Sequence, residues 1–301
     1  MTVEFALGDP GDYSKGLLGI GVPLLGGEPR ETITGAVEPA EGECGFAVWR
    51  GAGRAVGIAR SGAGIGIEEA TSRAYAGLLR AARGLNLYRI WNLVPSINGR
   101  APDGLENYHR FCRARSLAFE SALGTDFPRS LPAASAVGTA EAGLTVVFLA
   151  GFRPARHFEN PAQVPAYRYP PEHGPRPPSF ARATVAEGDD FVDVFVSGTS
   201  AVVGHETVAP YDTAGQLDRT IENLMLISRA CGLGDRLGSG VRCRRHFKVF
   251  LRNAGDLAPV SLEMGRRLLV PGDRVSYLGA DICRSALNVE IEVAVRGADK
   301  I

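Results

Sequence analysis

The sequence predicts an α+β fold in which one unit occurs twice. Strand-like and helix-like patterns follow each other in the same order in both halves of the chain: two strands, helix, strand, helix, strand. A proline-rich stretch separates the halves. The 301 residues, 45% of them hydrophobic, are enough for one large core or two of about 150 residues each. The halves are read as residues 1–150 and 151–301, with most of the reactive side chains in the second.

Residues 1–43 are rich in glycine and proline with short apolar pieces, and an irregular amino-terminal arm is expected there. Residues 44–49 and 55–59 read as strands around the turn from Gly51 to Gly53. A helix over 68–83 follows, with Ala70, Tyr75, Leu78 and Leu79 facing inward. Then come a strand over 87–94, a helix over 104–122 and a strand over 144–149. Pro154, Pro161, Pro165, Pro170, Pro171, Pro175, Pro177 and Pro178 make 153–178 a stiff connector over the surface. The second half reads as strands over 181–186 and 191–196, a helix over 213–231, a strand over 241–252, a helix over 256–268, and strands over 275–280 and 288–295. The first of these helices is the best specified. Asp212 or Thr213 can cap it, Thr213 and Gln216 have the spacing of a capping box, and Leu217, Ile221, Leu224, Met225 and Ser228 recur at helical period.

Thirty-three basic residues balance thirty-three acidic ones, so neither a nucleic acid nor an anionic membrane is the expected partner. Five cysteines, odd in number and without a CxxC pair, fit reduced thiols rather than disulfides or zinc ligands. No signal segment or run of about eighteen apolar residues occurs, and a soluble cytoplasmic protein is expected.

Three places break the local pattern. Gly198, Thr199 and Ser200 end an apolar strand before a glycine-containing turn, where hydroxyls and open backbone donors can hold a small molecule. In the helix over 104–122, Leu105, Tyr108, Phe111, Cys112, Phe119 and Ala122 form an apolar stripe with Arg115 in its middle. A guanidinium there needs an anion, either a buried carboxylate partner or a substrate carboxylate that fits its planar fork. In VRCRRHFKVFLR, Arg242, Arg244, His246, Lys248 and Arg252 share one face, which is either solvated or paired. Glu290 and Glu292 share a face of the last strand; beside the basic strand they would form cross-strand charge pairs or place a general acid in a cationic pocket.

Other motifs are set aside. Gly62, Gly64 and Gly66 imitate a dinucleotide turn, but no acidic residue follows about twenty positions on, so no nicotinamide cofactor is expected. His205 next to Glu206 has no second histidine at ligand spacing and reads as a turn residue, and no metal is expected. GxSxG and HExxH do not occur.

Six segments in order, RIWNLVPSIN, LENYHRFCRAR, YPPEHGPRPPSFARAT, SGTSAVVGHE, KVFLR and DICRSALNVEIE, together resemble the chorismatase family across about residues 45–295. The resemblance implies two RidA-like (YjgF-like) units, mixed sheets packed with helices, and an enzyme that removes the enolpyruvyl group of chorismate without a cofactor. It implies that Arg115, Arg176 and Arg182, with Tyr108 and Tyr169 beside them, bind the two substrate carboxylates, and that Arg252 is a weaker candidate for the same work. Glu290 matches the family's catalytic carboxylate, which would protonate the enol ether methylene. Gly198 and Cys283 match members that form 3-hydroxybenzoate, whereas members that hydrolyse chorismate to a diene diol carry a bulkier residue in place of the glycine and lack the thiol. Cys283 would assist by proton transfer or positioning; by itself it reads as a small buried thiol.

The turn after His205, ETVAPYD, departs from the family pattern, and residues 1–43 match none of it. Diene diol or mixed 3- and 4-hydroxybenzoate formation stands as the near alternative, and a RidA-like imine deaminase or a small-carboxylate binder as the remote one. A monomer and a homotrimer are both compatible with the resemblance.

Overall fold

The computed structural model describes residues 1–188 and 191–299. Nineteen strands and four α-helices are defined among them. The amino-terminal segment forms β1 (Val3–Ala6), β2 (Gly11–Asp12), β3 (Leu17–Gly19), β4 (Leu24–Gly27), β5 (Arg30–Thr34) and β6 (Glu38–Glu43). The first half continues with β7 (Phe46–Gly51), β8 (Arg54–Arg60), α1 (Ile67–Ala81), β9 (Asn86–Pro95), α2 (Asn107–Leu123), β10 (Ala133–Thr139) and β11 (Thr145–Gly151). The second holds β12 (Ala155–Phe158), β13 (Ala183–Glu187), β14 (Phe191–Thr199), β15 (Val202–Val203), β16 (Glu206–Thr207), α3 (Thr213–Ala230), β17 (Arg244–Leu251), α4 (Leu257–Arg267), β18 (Arg274–Gly279) and β19 (Val289–Asp299).

The duplication is explicit in the topology. One sheet runs β10-β9-β11-β8-β7-β6, and the other runs β12-β13-β14-β19-β17-β18-β4. Six strands correspond one to one: β10, β9, β11, β8, β7 and β6 match β18, β17, β19, β14, β13 and β12. In each, only the pair spanned by a crossover helix is parallel, β9 with β10 across α2 and β17 with β18 across α4. Parallel neighbours need such a crossover, whereas the antiparallel ones do not. The chain thus adopts the mixed α+β architecture with a repeated unit.

Each helical pair covers its own sheet. Phe111 and Phe119 of α2 join Tyr75 of α1 and Phe148 of β11 in one core, and Leu224 of α3 and Met264 of α4 join Phe247 and Ile291 in another. A third core lies where sheet faces meet, with Phe5, Trp49, Trp91, Phe195 and Phe250.

Three expectations need correction. Residues 1–43 are not an irregular arm: β2-β3-β1-β5 form a sheet, β4 extends the second large sheet beside β18, and β6 edges the first. Val3, Phe5, Leu18 and Ile33 are fully buried, which short apolar pieces between glycines did not reveal. Second, β10 was not anticipated, because AASAVGT is mostly alanine, serine and glycine, with Val137 and Thr139 its only β-branched residues. Its amides are taken by hydroxyls of the other half, Thr184 Oγ1 to Ala133 N at 2.7 Å and Ser197 Oγ to Ala134 N at 2.9 Å. Third, 153–178 is more than a surface connector. It supplies β12 and buries Asn160, Gln163 and Ala166.

The helix over 213–231 is observed as α3, one residue shorter, with Asp212 as its cap accepting from Ala214 N at 3.1 Å. Gln216 makes no capping box; it donates to the Ala209 and Ala286 carbonyls and accepts from Asn288 N, tying down the loop before β19.

Candidate active site

A cavity of about 230 Å³ opens between α2, β10, the end of β14, the 169–182 segment and the loop before β19. Tyr108 and Arg115 reach it from one face of α2, since seven residues are close to two helical turns. Arg115 is 2% exposed, and its guanidinium lies 5.3 Å from the Tyr75 ring, 5.7 Å from Phe111 and 5.8 Å from Phe119. Its Nε and Nη2 are buried without a hydrogen-bond partner. Of the two partners the sequence allowed, no protein carboxylate pairs with it among the described residues, and its donors are available to an anion in the cavity.

Arg182 contributes a second cation. Its Nη2 donates to Tyr169 OH at 2.7 Å, its Nε is buried without a partner, and Phe180 lies beneath it at 4.9 Å. Arg284, which the sequence did not single out, lines the same wall, 5.4 Å from the Tyr169 ring. Desolvation and the neighbouring thiols push the Tyr108 hydroxyl well above its usual value, so it is a neutral donor.

Glu290 sits at the floor. Burial, reinforced by the charge of Glu292, raises its carboxyl to about 8, although Arg89, Arg182 and the Ser200 hydroxyl pull the other way. It therefore carries its proton at neutral pH. Its Oε1 is buried without a hydrogen-bond partner. Glu292, two residues on, behaves oppositely. Burial would raise it too, but Lys248 and then Arg89 outweigh that and bring it down to about 2. Arg89 Nη2 donates to it at 2.6 Å, Ser135 Oγ at 2.7 Å and Trp91 Nε1 at 2.9 Å. Lys248 is shared between Glu292 and Glu31 of β5. Two carboxyls with environments pushing them apart are the arrangement that assigns one as acid and the other as fixed anion.

The antiparallel register of β17 and β19 creates this, with Lys248 opposite Glu292 and Phe250 opposite Glu290. The charge pair is found at Glu292, and Glu290 is a buried carboxyl raised toward its neutral form with Arg89 and Arg182 nearby. The basic strand is not a solvated face at His246 and Lys248, which are buried; Arg245, also buried, pairs with Asp273.

Gly198 lies against Glu290. A Cβ on it would stand 2.5 Å from the Glu290 Cδ and closer still to Oε1, so only glycine admits the carboxyl in this position. A register shift in the pairing of β14 with β19 brings the two together. Thr199 turns its hydroxyl back to the Ser197 carbonyl at 2.9 Å and does not line the cavity; Ser200 does. Cys283 lines it as well, and desolvation, with the nearby Glu290, raises its thiol to about 12.

Two expected anion ligands lie elsewhere. Arg176 pairs with Glu120 at 2.8 Å and donates to Ser116 Oγ at 3.3 Å, outside the lining. Arg252 pairs with Asp281, contacts Asn98 Oδ1 at 3.2 Å and donates to the carbonyls of Leu287, Ile282 and Arg284. It thereby fixes the loop that carries Cys283 and Arg284. Arg89, Ser135 and Lys248 hold the anion Glu292 beside Glu290, from strands whose mutual placement no sequence spacing discloses. His205 is not an isolated turn residue: His173, thirty-two positions earlier, brings its Nε2 to 3.0 Å from His205 Nδ1.

Fold and site together define a duplicated α+β protein whose halves enclose a cation-lined cavity around a neutral carboxylic acid. The chain belongs to the chorismatase family. Residues 38–150 match the family model for the amino-terminal part of FkbO/Hyg5-like chorismatases. A 3-hydroxybenzoate synthase of Streptomyces hygroscopicus is 38% identical over 238 residues, 75% of this chain and 69% of that protein. A chorismatase of Streptomyces rapamycinicus is 38% identical over 248 residues, 79% and 73% of the two chains. A crystal structure of a chorismatase superposes with a TM-score of 0.82 at 30% identity, covering 98% of this chain and 92% of that one.

Proposed function

We propose that this protein cleaves chorismate to 3-hydroxybenzoate and pyruvate. The observation that carries the reading is Glu290, held protonated at the base of a cavity walled by Arg115, Arg182 and Arg284. Chorismate bears two carboxylates, and guanidinium donors without protein partners suit them. Glu290 gives its proton to the terminal methylene of the enol ether, the oxocarbenium-like carbon that results weakens the bond from oxygen to the ring, and pyruvate departs. The ring hydroxyl attacks the carbon being vacated and gives up its proton, which restores the Glu290 acid, and the resulting arene oxide opens and aromatises. The two products sum to the substrate, so no water is consumed.

Gly198 and Cys283 support the 3-hydroxybenzoate outcome over hydrolysis. The glycine lets the acid lie close against the strand. A thiol near 12 is neutral, so Cys283 acts here by positioning or donating rather than as a thiolate base. Coupling pyruvate release to lactate dehydrogenase tests the cleavage, and chromatography of the aromatic product tests the type. A protein that binds chorismate without releasing pyruvate would overturn the proposal.

A further inference from the structure

We propose that Glu172, His173, His205 and Glu206 form a binding site for a divalent transition-metal ion of the zinc class, where the cavity wall meets solvent. One ligand atom from each residue lies within 4.8 Å of the other three. His173 Nε2 and His205 Nδ1 are 3.0 Å apart, and His205 Nδ1 is 3.0 Å from Glu206 Oε1. A tetrahedral zinc ion with ligands at about 2.0–2.1 Å has ligand–ligand edges of about 3.3–3.4 Å. The short separations thus open by a few tenths of an ångström, and the long ones close by rotation of two exposed glutamates. Two imidazoles and two carboxylates are a donor set that neutralises a dication and suits zinc, cobalt or nickel better than magnesium or calcium.

The backbone beneath the site is already fixed. Val164 N donates to the Gly204 carbonyl at 2.9 Å, Gly204 N to Ala162 at 2.9 Å, and Gln163 Nε2 to Val202 at 3.0 Å, so the β15–β16 hairpin is bound to the segment leading to His173. The Tyr169 ring packs on both imidazoles, at 5.2 and 6.3 Å. Arg284, also against Tyr169, opposes a cation here, and the two carboxylates offset it. Bound metal would replace the histidine–histidine hydrogen bond and tie two segments distant in sequence, stiffening the wall that carries Tyr169. The site needs no substrate, so its occupancy is independent of the proposed reaction.

The full chain, stripped with a chelator, is titrated with Zn²⁺ against a chromogenic chelator and with Co²⁺ followed by its visible absorption. One equivalent should bind with a tetrahedral cobalt spectrum, and His205→Ala and Glu206→Gln should each weaken binding at least tenfold. Zn²⁺ should raise Tm in the parent protein and not in His205→Ala. If His205→Ala does not fold, Glu206→Gln at its exposed position decides. No stoichiometric binding, or binding that both substitutions leave unchanged, would overturn the proposal.

Discussion

The Glu290 carboxyl rests on the Cα of Gly198, in space that any Cβ at position 198 would occupy. The position of the proposed proton donor is therefore set by a residue without a side chain. Gly198→Ala must displace the carboxyl or the strand, a strain of about 1–3 kcal/mol. Pyruvate release is expected to fall at least tenfold or the product to shift toward the diene diol, read by coupled assay and chromatography.

Glu290 titrates near 8, so the acid form is present below that pH and lost above it. The pH profile of kcat/KM should fall as pH rises through about 8. Stability has the same sign: a carboxyl raised in the folded state favours folding below its unfolded value near 4.5, and that contribution is lost as pH climbs to about 8. Glu290→Gln should abolish pyruvate release yet unfold at a higher temperature than the parent at pH 9. Near-normal turnover in this variant would remove Glu290 as the acid.

Arg115 offers two buried donors that have no protein partner. Arg115→Met should raise KM for chorismate about 10–100-fold, as loss of charge-assisted hydrogen bonds implies, without lowering Tm. Arg176→Met, outside the lining and paired with Glu120, should change KM little. The reverse ranking would reassign the anion site.

Cys283→Ala should redistribute products away from 3-hydroxybenzoate with the overall cleavage rate changed less. Because its thiol titrates near 12, iodoacetamide should modify it slowly at neutral pH. An unchanged product spectrum would end its assignment to product choice.

Lys248 is 2% exposed and holds two carboxylates, Glu31 and Glu292. Lys248→Met removes the ion-pair partner of Glu31 and leaves Glu292 with Arg89 alone as counter-ion, and should cost about 3–5 kcal/mol in urea unfolding. The double variant Lys248→Met/Glu31→Gln should recover part of that loss.

What the sequence disclosed depended on periodicity and on rule-breaking residues. Arg115 was visible because a cation interrupted an apolar stripe, and the Glu290/Glu292 pair because it alternated with valines and isoleucine along one strand. Arg176 and Arg252 matched the resemblance, but each is already satisfied by protein groups, which only coordinates reveal. Ser135 and β10 were hidden by small residues, whose strand character comes from pairing with β9, while two of their amides donate to hydroxyls of the opposite half. His173 and His205 meet through the fold of the proline-rich segment, and no spacing rule spans thirty-two residues.

The first five strands have a practical consequence. A recombinant fragment started at residue 38, where the family match begins, would lack Glu31 and leave an ammonium group inside the molecule with one counter-ion fewer. It would also uncover the flank of β18 that β4 closes, and an open strand flank invites self-association. Insolubility of such a fragment would report on this missing plug rather than on the chemistry of the cavity.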